Sequence, residues 1–169
     1  MAAGPTYTSI ATTTLGSASA TITFSSIAGT YTDIVLVANI LCSTDSNISA
    51  YVNGVNTGTS YSNTHLTGSG SAAASSRGSN QSTWQLSPGP MASATTSPEP
   101  MIINFQNYSN TTTYKNALFR YGINGATYNG VAATVGLYRD TAAITSITLK
   151  TDALFSIGTQ ATIYGIQAA

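Results

Sequence analysis

Hydrophobic and polar residues alternate along this chain with a period of two, and no segment carries a convincing helical period. In residues 20–27, Ile22 and Phe24 alternate with Thr21, Thr23 and Ser25, the pattern of a strand with one buried face. Residues 33–42 are nearly continuous in apolar character, which predicts a central strand covered on both sides. Residues 48–52 alternate again and run into Asn53-Gly54, a pair suited to the positive backbone angles of a tight hairpin turn, with a weaker strand at 61–67 after it. Further strands are expected at 8–15, 101–106, 117–121, 131–138, 144–149 and 161–166, about ten in all. The β-branched and aromatic residues that fill these segments fit a pleated surface better than a helix.

Many short strands with Gly or Asn-Gly punctuation predict an all-β fold, an antiparallel two-sheet β-sandwich of jelly-roll type, in a single domain over residues 1–169. An immunoglobulin type is less favoured, because Trp84 follows the single cysteine, Cys42, and no second cysteine comes after it. Residues 1–7 are expected to form an N-terminal arm. Residues 68–100, rich in Ser, Gly and Pro, read as a long loop or extension that is mobile in isolation. Trp84, Leu86 and Met91 are apolar anchors within it, suited either to pockets on a partner or, at Trp84 and Leu86, to one more short strand of the domain's own sheet.

Composition narrows the function. Charged residues make up only 6% of the chain, and five basic residues balance five acidic ones. Without a basic excess there is little to attract nucleic acid or an anionic membrane, so neither partner is expected. The N-terminus lacks the basic start and apolar run of a signal peptide, and the apolar stretch 34–42 is far too short to cross a bilayer as a helix. With little charge to keep copies apart, a surface in which Ser and Thr supply many of the side chains suits a protein that works within an assembly.

Catalytic and metal-binding chemistry is sparse. His65 is the only histidine, has no nucleophile-elbow pattern beside it, and reads as an exposed strand residue. Asp33 and Asp140 fall at strand edges, where a short carboxylate supports a turn. One His and one Cys do not build a typical zinc site, and Asp45-Ser-Asn47 has only the first spacing of a calcium loop. No enzyme activity, metal or cofactor is expected. Ten tyrosines among many small polar residues suggest a glycan-binding face, for which Tyr61, Trp84 and Tyr108 are the candidates.

The stretches Ile22-Thr-Phe-Ser-Ser-Ile27, Tyr31-Thr-Asp-Ile-Val-Leu-Val37, Asn53-Gly54 followed by Tyr61-Ser, Ala143-Ile-Thr-Ser-Ile-Thr-Leu149 and Ile163-Tyr-Gly-Ile166 resemble small β-sandwich virion proteins of tailed bacteriophages, especially aquatic and cyanobacterial ones. The resemblance implies a virion surface component made in the host cytoplasm, and it brings no catalytic residues with it. The favoured expectation is a capsid decoration or cement protein, a homo-oligomer and most simply a homotrimer, seated on the major capsid protein and stabilising capsomer junctions. Its contacts would come from Pro5 and Tyr7 in the arm and from Trp84, Leu86 and Met91 in the 68–100 segment. The alternative is a receptor-binding module of a tail fibre or spike that takes a host surface glycan.

Overall fold

The computed structural model describes residues 6–86, 96–124 and 129–167. Among these residues there are twelve strands: β1 (Tyr7–Thr14), β2 (Ser19–Phe24), β3 (Asp33–Ile40), β4 (Ile48–Val52), β5 (Tyr61–Gly68), β6 (Ala73–Gln81), β7 (Trp84–Gln85), β8 (Glu99–Gln106), β9 (Lys115–Asn124), β10 (Asn129–Tyr138), β11 (Ile147–Phe155) and β12 (Gln160–Ile166). They form an eight-stranded sheet in the order β1-β12-β3-β8-β9-β10-β5-β6 and a four-stranded sheet in the order β2-β11-β4-β7. All the pairings are antiparallel, and the two sheets pack as a β-sandwich. The quartet β1-β12-β3-β8 facing β2-β11-β4-β7 is consistent with a jelly roll. The hairpins β5–β6 and β9–β10 are additions to that plan; they pair with each other through β10 and β5 and double the width of the large sheet.

Alternation places the core. Ile22 and Phe24 of β2, Ile48, Ala50 and Val52 of β4, and Ile147 and Leu149 of β11 are buried on the small sheet. Facing them, Ile34, Leu36, Ala38 and Ile40 of β3, Met101, Ile103 and Phe105 of β8, and Ala161 and Ile163 of β12 are buried on the large one. Hydroxyl pairs brace the ladders where the side chains turn outward: Thr12 meets Thr162 at 3.0 Å and Thr23 meets Thr148 at 3.0 Å.

Several expectations change in detail. Asn53 and Gly54 do adopt positive φ, 53° and 72°, and Val55 N–H closes the turn on Val52 C=O at 3.0 Å. The turn does not make a hairpin, because β4 lies in the small sheet and β5 in the large one. Asn53 instead ties the turn to the segment before β11, donating to Ala143 C=O and accepting from Thr145 N–H. β3 is central, between β12 and β8, yet its outer face is open at Val37 and Asn39.

The 68–100 segment is not one loop. It completes β5 at Gly68, makes the edge strand β6 and the short strand β7, and enters β8 at Glu99. Tyr7, placed in the arm, begins β1 opposite Ile166. Pro5 and Met91 lie outside the described residues.

Candidate functional site

Four of the side chains expected on a binding surface are in the core. Trp84, Leu86, Tyr61 and Tyr108 are all 0% exposed. β7 pairs with β4 and drives the Trp84 ring between the sheets, where Tyr61 lies edge-on at 5.1 Å between ring centroids and Phe119 at 5.6 Å. Tyr61 stacks on Tyr138 at 4.8 Å, and its hydroxyl donates to Val55 C=O at 2.8 Å. Gly136 makes room for the indole: a Cβ there would stand 2.6 Å from Trp84. Tyr108 donates its hydroxyl to Ala28 C=O and accepts from Tyr31 N–H, clamping the loop before β3. Within the monomer these rings are structural, because burying large aromatics stabilises the sandwich more than any other side chains in it. Tyr7 alone among the named aromatics is exposed, at 57%, with its ring edge-on to Tyr164.

The titratable groups expected at the surface are divided. Asp33 accepts from Asn107 N–H at 2.7 Å and Asp140 from Ala142 N–H at 2.8 Å, the turn-supporting roles expected of them. His65, read as exposed, is buried at 2%. Thr134 donates its hydroxyl proton to Leu86 C=O at 2.9 Å, so it must accept from His65 Nδ1–H at 2.8 Å. His65 Nε2 is thereby left as the acceptor for the Asn63 amide. The chain of donors fixes the neutral tautomer, and burial holds the imidazole below its ordinary value.

Glu99 is also buried, with neither carboxylate oxygen hydrogen-bonded, and burial with Asp45 nearby pushes it up to about 7. Burial pushes the Cys42 thiol up to about 11, which leaves it protonated and inert. Lys115 donates its ammonium to Thr113 and Thr141 carbonyls at 2.7 and 2.9 Å, joining two loops from within. Among the described residues no three His, Cys, Asp or Glu side chains gather as a metal site would need.

The surface that stands out is the outer face of the large sheet. Over part of β5 and β10 the polarity runs inside out, although Tyr61, Ala132 and Tyr138 face inward and Ser62 and Thr64 outward. Asn63, His65, Thr134 and Gly136 point into the sandwich, whereas Leu66, Val131 and Val135 face outward at 59%, 65% and 52% exposure. Leu118 on β9 and Val37 on β3 are exposed on the same face, and Ile102 on β8 lies between them. At ordinary strand spacing and rise this apolar area spans about 20 Å across the strands and about 14 Å along them.

A groove of about 610 Å³ lies within it, lined by Leu66, Pro100, Ile102, Arg120, Val131 and Ala133. Beside it a more polar groove of about 340 Å³ is lined by Ser62, Thr64, Arg77, Ser79 and Asn116. Sequence reasoning did not single out these residues. The signal was present at 131–136, where the larger side chains, Val131 and Val135, share one parity and Ala132, Thr134 and Gly136 the other.

This arrangement can hold an apolar, non-aromatic surface against another molecule. No protein family, no curated protein and no solved structure matches the chain.

Proposed function

We propose that this chain is a non-enzymatic structural protein that docks another protein on the outer face of its large sheet. In the setting its sequence resemblance implies, it is a capsid decoration or cement protein on the outside of a phage head, bound to the major capsid protein across capsomer junctions, as a homo-oligomer. The observation that carries this reading is the inverted polarity of β5 and β10: aliphatic side chains exposed over several adjacent strands, above polar side chains in the core. Aliphatic side chains gathered on one sheet face, rather than scattered singly, suit a protein-docking surface. A binder of an assembled shell stabilises it by mass action and needs no chemistry of its own. The glycan-binding alternative named Tyr61, Trp84 and Tyr108, and the burial of all three leaves it without its stacking rings.

The test is to locate and count this protein in purified particles of the virus that encodes it, by mass spectrometry and cryo-electron microscopy. Hundreds of copies on the head are expected; a few tens at the tail would favour receptor recognition, and absence from the particle would overturn the reading. Val131→Asp with Val135→Asp should abolish binding to heads that lack the protein. Both sites are more than half exposed, so unfolding stability should change by no more than about 0.5 kcal/mol per site.

A further inference from the structure

The chain is neutral overall, but its charges are not evenly placed. Of its five basic residues, Lys115 is buried and Lys150 is exposed on the small sheet. The other three, all arginines, meet on the outer face of the large sheet around the two grooves. Arg120 lines the apolar groove and donates to Asn104 Oδ1 at 3.2 Å. Arg77 lines the polar groove. Arg139 lies beside that groove, donating to Ser62 Oγ, which lines it, at 3.3 Å and to Asn80 Oδ1 at 3.2 Å.

No carboxylate shares this part of the face. Glu99 of β8 points into the core, and Asp140, although next to Arg139 in the chain, engages the Tyr138 hydroxyl and Ala142 N–H. Asp33, at the start of β3, is on the outer face in the same cross-strand row as Asn116 and two strands from it, with its carboxylate taken up by Asn107 N–H. Asp45 belongs to the segment between β3 and β4, and Asp152 bonds Asn47 near the small sheet.

From this complementarity we infer that the partner of the large-sheet face is a protein segment carrying aliphatic side chains flanked by carboxylates, its apolar side chains filling the groove at Leu66 and Val131 and its acids meeting Arg120 and Arg77. The inference rests on the docking role proposed above and specifies its chemistry. The aliphatic lining separates a protein from the other polyanions. Single-stranded nucleic acids are held by stacking on aromatic rings as well as by charge, and among the described residues the aromatic that lines the apolar groove, Tyr121, is itself buried. An arginine at the edge of an apolar contact also forms the strongest, bidentate pair with a carboxylate, so it fixes register as well as attracting.

The test is selection of short random peptides displayed on yeast against the full immobilised chain. The expected peptides combine Asp or Glu with Leu, Ile or Val. Arg120→Glu and Val131→Asp should each weaken their binding by roughly tenfold or more. Raising the salt concentration should weaken it only in part, since the apolar contact is not screened.

Three outcomes overturn the inference: a selection that enriches nothing or enriches neutral or basic peptides, binding indifferent to either substitution, or heparin and oligothymidylate binding with the same arginine dependence and no dependence on Val131. The particle measurement is separate. Acidic aliphatic peptides together with absence from the virion would keep the surface chemistry and discard the capsid role, and presence on the head with basic peptides would do the reverse.

Discussion

Glu99 and His65 make opposite demands on pH. The Glu99 carboxyl sits near 7 in the folded chain and near 4.5 when unfolded, so the fold favours its protonated form. Its contribution is therefore fully present below 4.5 and is lost as pH rises through 7, on the order of 3 kcal/mol in all. His65 is depressed instead, so the stability linked to its neutral form is present above 6.5 and is lost as pH falls below that value.

Glu99→Gln should remove the first dependence and leave the second. In urea titrations the variant should be more stable than the parent at pH 8, nearly equal to it at pH 4.5, and should lose stability on acidification below 6.5. Equal stabilities at pH 8 would show that Glu99 finds a partner in solution. Trp84→Ala should act on folding and cost about 3–5 kcal/mol, measured by the same titrations. Neither Glu99 nor His65 was legible as buried in the sequence. Which parity of a strand faces inward depends on what covers it, and at His65 the partner is Thr134, 69 residues on, whose hydroxyl is in turn held by the Leu86 carbonyl.

At the scale of elements, the strands of the jelly-roll quartets were legible because their inner faces carry large aliphatics at every second position, as in Ile34, Leu36, Ala38 and Ile40. β6 was not. Its sequence, Ala-Ala-Ser-Ser-Arg-Gly-Ser-Asn-Gln, has little strand propensity, and nearly every side chain on it is exposed; its strand character comes from its ladder with β5. β7 is only two residues long; its pairing with β4 is anchored by the buried Trp84, for whose indole β10 leaves room at Gly136. That fit is testable as a pair. Gly136→Ala should cost about 1–3 kcal/mol by overpacking the indole, and combining it with Trp84→Phe should recover part of the loss. Additive losses in the double variant would mean that the two sites do not share the space.

Over the whole molecule, the sandwich was legible and the candidate site was not. Tyr61, Trp84, Leu86 and Tyr108 drew attention as the rare large side chains in a polar sequence, and a fold with few such residues places them in its core. The surface that replaced them is made of ordinary valines and leucines on four strands distant in sequence, and only the register of β3, β8, β9, β10 and β5 assembles it. The arginines around it come from β6, β9 and the end of β10, so a net charge of zero concealed a gathering of three arginines on one side. At this scale the docking variants, the peptide selection and the particle measurement all bear on the same side of the molecule.

The pairing of β1 with β12 sets Tyr7 opposite Ile166, so the first and last strands leave the sheet from one corner. Directly paired strand residues stand about 5 Å apart, a gap that one or two linking residues bridge. A link from Ile166 to Tyr7 would therefore close the first and last strands into one hairpin. Making that link and opening the exposed turn at Gly70 and Ser71 between β5 and β6 should give a circular permutant with the same sheets and nearly the same melting temperature. Failure of that permutant to fold would show that β5 and β6 must enter the fold as one continuous hairpin. Success would show that the β5–β6 turn tolerates a break, although it adjoins Gly68 and Ala73 of the apolar groove.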